Sequence, residues 1–385
     1  MDDWVAFLSG CMIGGISGLV PGLHPNTVIA ALGGFGIDEW ALSLMIISLI
    51  PSSMVSSFMI AIFFGVPDRS TVVSVLPGQR MVLEGRGLEA LKTVLVSCIG
   101  ATLLSVMLFQ LSLDAYPLIY ALIRPHMGYV LLAFSALFLI RSKNPILAAL
   151  VFLVSGALGS FALSRELADP FLPLFCGMFS LASIAQYQKS DVPKQTDGRI
   201  KLDFLPSIGI GVMLGMLADM IPGIGSPSQV AALSTMLIPM DTLAYLASVS
   251  SISVSQTIFS LSTSAAIDKA RVGGTALLAE HIAISENLPV LIALFMASMA
   301  IAVVFAYALR MKAAGFSRTD FSKMNLVVGA YLIALTILID GALGLMILAL
   351  SASLGYLVIR LGIERTNLMG AIIVPTLMLL FKIIL

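Results

Sequence analysis

The chain has 385 residues, 59% of them hydrophobic and only 11% charged, with Lys and Arg balancing Asp and Glu at 21 each. A soluble domain is about 25% charged, so a chain this apolar lacks a polar coat for water and takes lipid as its solvent. A net charge of zero, with no strongly basic stretch, excludes a nucleic-acid footprint.

A spanning helix needs about 20 consecutive apolar residues. The first apolar run follows Asp2 and Asp3 rather than a basic segment, so it is expected to be a retained membrane segment and not a cleaved signal. This run, 4–36, is broken in its middle by Pro and Gly. Spans are then expected at 41–64, 93–113, 117–140, 145–163 and 170–186, followed by a hydrophilic linker, 187–203. A second broken region, 204–240, opens the other half. Spans follow at 242–261, 286–309, 324–340, 341–360 and 366–385, with Asp340 in a short turn where solvation is the expectation. Cys11, Cys98 and Cys176 lie far apart in apolar runs, and neither a disulfide framework nor a metal site is expected from them.

The two broken regions resemble each other. Gly10, Gly14 and Pro21-Gly22 recur as Gly211, Gly215 and Pro222-Gly223, an offset of 201. With one inserted residue, Pro25-Asn26-Thr27 aligns with Pro227-Ser228-Gln229. Each region precedes a long span rich in small polar residues: Ser52, Ser53, Ser56 and Ser57 in one, Ser248, Ser251, Ser255 and Gln256 in the other. Paired Pro/Gly-interrupted membrane segments in two halves are the sequence mark of a secondary-transporter site.

Orientation follows from Lys and Arg. Three loops carry four basic residues each: Arg69, Arg80, Arg86 and Lys92; Lys189, Lys194, Arg199 and Lys201; Arg310, Lys312, Arg318 and Lys323. Placing all three in the cytoplasm balances only if 204–240 enters and leaves on the same side. Treating 4–36 alike leaves five spans between the hairpins, and an odd number inverts one half against the other. If both regions cross once, the repeat is parallel and the third loop lies outside; the positive-inside bias favours inversion. The expected fold is therefore an all-α integral membrane protein of about ten transmembrane helices plus two re-entrant hairpins. It forms two inverted structural repeats, 1–186 and 204–385, joined by the cytoplasmic linker 187–203.

The broken helices carry the chemistry. A Pro-Gly pair ends one half-helix, and the next Pro suits the first turn of another. Such a start exposes unpaired N–H groups and a positive dipole end, which attract an anion. Pro21, Gly22, His24, Asn26 and Thr27, with Pro222, Gly223, Ser226, Ser228 and Gln229, are the expected substrate-binding residues. Structural kinks that only pack helices are the alternative. Asp219, where the first half has Gly18, is a carboxylate in an apolar segment and a candidate for carrying Na+ or a proton, or for an interfacial pair. Asp68 and Arg69, in a long Gly-rich loop, are candidate gate residues. Ser53, Ser56 and Ser255 are candidates for lining the path, though small residues on one face also let membrane helices approach.

The Pro-Gly motif, Phe64-Gly65-Val66-Pro67, and the run Leu76-Pro77-Gly78-Gln79, Glu84-Gly85-Arg86-Gly87 and Ala90-Leu91 resemble the permease of the tripartite tricarboxylate transporters, the TctA family, in a compact archaeal-like branch. The resemblance implies cation-coupled uptake of carboxylates with a small membrane subunit and a soluble binding protein. The expected function is thus a secondary active transporter of a small anion in the cytoplasmic membrane, coupled to Na+ or H+ and without other cofactors. The alternative is a flippase for a lipid-linked phosphate such as polyprenyl phosphate. Membrane lipids are expected partners, nucleic acid is not, and a homo-oligomer is left open. No HExxH, GxSxG or GxxxxGK[ST] is present, so neither an enzyme nor a primary pump is expected.

Overall fold

A computed structural model describes residues 2–20, 25–65, 75–186, 192–219, 230, 240–270, 272–318 and 322–383. They are helical apart from turns and an extended strap at 192–203. Among the described residues, six helical stretches are long and apolar enough to cross a membrane, including Glu39–Phe64, Ile284–Phe316 and Asn325–Arg360. Their surfaces bear large exposed apolar side chains, such as Leu118, Leu122, Val304 and Leu338. Water would not tolerate so large an apolar surface, whereas acyl chains solvate it.

The chain clusters into two compact units that each draw on both sequence halves. The first takes described residues from 2–122, 192–219, 230, 240–270 and 272–318. It contains α1 (Asp3–Ser17), α2 (Pro25–Gly33), α3 (Glu39–Phe64), α4 (Val75–Leu83), α5 (Gly87–Met107) and most of α6 (Phe109–Ile123). The second takes described residues from 123–186 and 322–383. It holds α7 (Met127–Ile140), α8 (Pro145–Leu163) and α9 (Phe171–Ala185), the last with a π-helical stretch at Cys176–Leu181. The first unit resumes with α10 (Leu205–Ala218), α11 (Thr242–Ile267), α12 (Gly273–His281) and α13 (Ile284–Phe316). The second ends with α14 (Ser322–Arg360) and α15 (Gly370–Leu380).

Within the first unit the sequence repeat is a structural one. Asp38 caps α3 by accepting the Ala41 N–H at 3.3 Å, and Asp241 caps α11 by accepting the Ala244 N–H at 2.7 Å. Both helices run 26 residues and end on a left-handed residue, Gly65 (φ 68°) and Asp268 (φ 52°). Gly10 and Gly14 of α1 lie against α3, and Gly211 and Gly215 of α10 against α11. A Cβ on Gly10 would stand 2.4 Å from the Met45 carbonyl oxygen, and one on Gly211 would stand 2.5 Å from that of Ser248. The helices following the loops change partners: α5 packs on α11, and α13 packs on α3. Each repeat thereby completes the other.

The hydroxyl-rich helices are buried despite their polarity. Ser48 and Ser52 donate to the carbonyls of Leu44 and Ser48 at 2.8 and 3.0 Å, and Ser250 and Ser253 do the same one turn back on α11. Such back-bonding satisfies a hydroxyl inside its own helix.

The strap fastens the basic loops. Gln195 accepts from the Gly87 N–H at 2.7 Å and donates to the Val82 carbonyl at 2.8 Å. Asp197 pairs with Lys92 and, at 3.1 Å, with Arg310. Hydrogen bonding from Lys92 first, and from Arg310 as well, holds the Asp197 carboxyl below the usual carboxylate range. These three residues come from the three basic loops, which the charge bias assigns to one side, and direct contact puts them on one face of this unit.

In the second unit, two loop contacts tie separate helices together. The Lys143 N–H reaches Glu364 at 3.4 Å, and at the other end the Asp169 N–H donates to Asp340 at 3.0 Å. Helix α14 folds back at Gly341 (φ 64°), so it supplies both spans expected on either side of residue 340. Asp340 is not solvated as expected: it is 9% exposed, because the 164–170 loop covers the turn and ties its carboxylate. The span expected at 117–140 is divided at Arg124–His126, where Pro125 interrupts the helical ladder.

Candidate functional site

The described part of helix α2 opens on Pro25, a residue that suits a first helical turn because it has no N–H to leave unsatisfied. This places Asn26 at the positive end of a new half-helix. Its amide lies over the start of α12: a Cβ on Gly273 would come within 2.1 Å of Asn26 Nδ2. A side chain at Gly273 would displace the Asn26 amide from its place over this helix start. The Val272 N–H, at the cap of α12, donates to Ser260 Oγ on α11 at 3.1 Å. Ile50 of α3 crowds Gly274 from the apolar side. Two positive helix ends from different repeats thus converge beside a carboxamide and a hydroxyl, an arrangement suited to an anion.

A second polar cluster closes α10. Asp219 caps this helix and is 1% exposed, and Thr263 Oγ1 lies 2.5 Å from its Oδ2. Tyr116 donates to the Met216 carbonyl at 3.1 Å, and Ser112 donates to Ser262 at 2.7 Å. Gly18, the counterpart of Asp219 in the first repeat, has no room for a side chain, since a Cβ there would stand 2.3 Å from the Ser53 carbonyl oxygen.

The remaining candidates separate cleanly. Ser56 and Ser255 press on Gly18 and Gly215, and Ser53 is buried on the same seam, so all three take part in close helix packing. Thr27 lies in α2. Pro21, Gly22, His24, Asp68, Arg69, Pro222, Gly223, Ser226, Ser228 and Gln229 lie outside the described residues. The sequence reading missed Ser260, Thr263, Tyr116 and the Gly273-Gly274 start of α12. A glycine pair opening a short helix was the available signal for the last.

A cleft of about 450 Å³ between α5 and α13 is lined by Leu95, Val96, Ile99, Ile200, Val303 and Val304, with Lys92 and Tyr307 beside them. Its walls fit an acyl chain better than a small carboxylate. Among the described residues, no group of three or more His, Cys, Asp or Glu stands ready to hold a metal ion.

Comparison with protein families matches residues 5–370 to the tripartite tricarboxylate transporter TctA family. The chain belongs to that family. TctA membership makes it a membrane transporter, in keeping with its apolar helices. An uncharacterized protein of Methanocaldococcus jannaschii is 29% identical over 276 residues, covering 68% of each chain. No solved structure matches.

Proposed function

We propose that this permease moves a small carboxylate-type anion by alternating access, coupled to Na+ or H+. The observation that carries the reading is the convergence of the α2 and α12 starts at Asn26 and Gly273. A buried helix start supplies fixed N–H donors and a positive dipole end without a full charge. Such a site binds an anion and still releases it. A small membrane subunit and a soluble binding protein are the proposed partners, in keeping with the tripartite family.

The inverted repeat belongs to the same proposal. Contact of Lys92, Asp197 and Arg310 supports a common face for the three basic loops, which is the premise of the inversion. Single cysteines introduced at positions 2 and 197 are expected to react with impermeant reagents from opposite sides. Labelling of both from one side refutes the inversion.

The apolar cleft beside Lys92 supports a second reading, transport of a lipid-linked phosphate. Reconstitution separates the two. Proteoliposomes are expected to accumulate labelled citrate or succinate under an imposed cation gradient. Failure with both acids, together with tight binding of polyprenyl phosphate, favours the flippase and overturns the first reading.

A further inference from the structure

The cleft of about 450 Å³ has walls from three parts of the chain: α5 of the first repeat, α13 of the second, and the strap between them. On α5, Lys92, Leu95, Val96 and Ile99 recur at helical spacing and so share one face. From Lys92 to Ile99 that face runs about 10 Å along the helix axis. On α13, the lining residue Val304 is 68% exposed, so the cleft opens sideways onto the lipid-facing surface. Water finds no polar partner among such walls, and a chain from the surrounding lipid fills them instead.

The mouth of the cleft is cationic. Lys92 lies near the start of α5 and Arg310 near the end of α13, and both pair with Asp197, so two positive charges meet one carboxylate. Lys92 Nζ also donates to the Gly198 carbonyl at 2.6 Å. Arg310 gives two N–H groups to Asp197 and one to the Tyr307 carbonyl at 2.8 Å, with its guanidinium 3.9 Å over the Tyr307 ring. An ammonium has three N–H groups and a guanidinium five. Among the described residues, these bonds leave one N–H of Lys92 and two of Arg310 without an acceptor. Arg199 and Lys201 flank Ile200 on the exposed strap and Asp203 offsets one of them, so the mouth stays net positive.

We propose that this cleft seats one acyl chain of a resident anionic phospholipid, with its phosphodiester on the free N–H groups of Lys92 and Arg310. The walls select a chain and the mouth selects negative charge, as in other basic pockets between membrane helices. A free phosphate satisfies the mouth alone, and a zwitterionic lipid the walls alone. Because Ile200 of the strap forms part of the wall, the bound chain clamps the strap against one helix of each repeat. The lipid is a fastener and not cargo. The inference does not rest on the transport reading, since the cleft shares no residue with the starts of α2 and α12.

Native mass spectrometry of the purified protein, titrated in detergent with dioleoyl phosphatidylglycerol or dioleoyl phosphatidylcholine, reads the occupancy. The wild type is expected to bind one phosphatidylglycerol and to prefer it by roughly fivefold, the effect of one charge near a membrane surface. Asp197→Asn keeps both cations and removes the competing carboxylate, so the preference should rise by roughly fivefold again. A fall in that variant would mean that Asp197 orders the mouth and no phosphate sits there, which overturns the proposal. Val96→Trp and Val303→Trp place an indole in the cleft and are expected to abolish the bound lipid while the protein stays monodisperse. Phosphatidylglycerol should raise the melting temperature of the wild type and not of the tryptophan variants, and glycerol 3-phosphate should raise neither. Equal binding of the two lipids, full occupancy in both tryptophan variants, or protection by glycerol 3-phosphate alone overturns the proposal. So does displacement of phosphatidylglycerol by polyprenyl phosphate at equal concentration, which assigns the cleft to the flippase.

Discussion

Leucine in place of Gly14 is expected to dismantle the first repeat, while leucine at Gly15, the next residue, is expected to be harmless. A Cβ at Gly14 would lie 2.3 Å from the Leu49 carbonyl oxygen and 2.8 Å from its Cα, atoms of the α3 backbone that cannot swing aside. A Cβ at Gly15 meets nothing within 4 Å. Overpacking against backbone costs about 1–3 kcal/mol or more, and a four-carbon side chain stands at the upper end. The melting temperature of Gly14→Leu in detergent should fall by roughly 5 °C or more, or the monodisperse peak should vanish. Gly15→Leu should match the wild type or exceed it slightly, since glycine costs a helix interior about 0.5–1 kcal/mol relative to better helix formers. Equal behaviour of the two variants would mean that α1 does not seat on α3.

Asn26→Ala is expected to weaken substrate rather than the protein. The amide lies beside Gly273 at the start of α12. A hydrogen bond to a charged group contributes about 1.5–3 kcal/mol, so apparent affinity for the anion should drop roughly 10- to 100-fold. Expression and melting temperature should hold. Ser228→Ala, at the aligned position of the second repeat, should act in the same direction. Normal transport by both variants would reduce the broken helices to scaffold.

How far the sequence anticipates this fold depends on the range of the interaction. The glycine pattern at Gly10, Gly14, Gly211 and Gly215 was readable because close backbone approach leaves no other residue a place. The start of α2 was readable because Pro25 acts on its own turn. The break at Gly341 was readable for the same local reason. The burial of Asp340 was not, since its partner is a backbone N–H at Asp169 in another loop. The meeting of Asn26 with Gly273 was hidden in the same way, because nothing near either residue names the other. Asp219 stood out as a charge in an apolar run, but Thr263 gave no sign of being its partner among the many hydroxyls of α11. Local rules placed the elements, and tertiary contacts decided which polar residues share a site.

The partner exchange in which α5 packs on α11 and α13 on α3 also bears on biogenesis. During synthesis, α3 enters the bilayer with its serines in place and waits more than two hundred positions for the helix that covers it. Contacts of such long separation form late and slowly. The first half is then a membrane-inserted intermediate with an unfilled seat, and the nascent chain depends on finishing translation before that seat finds another occupant.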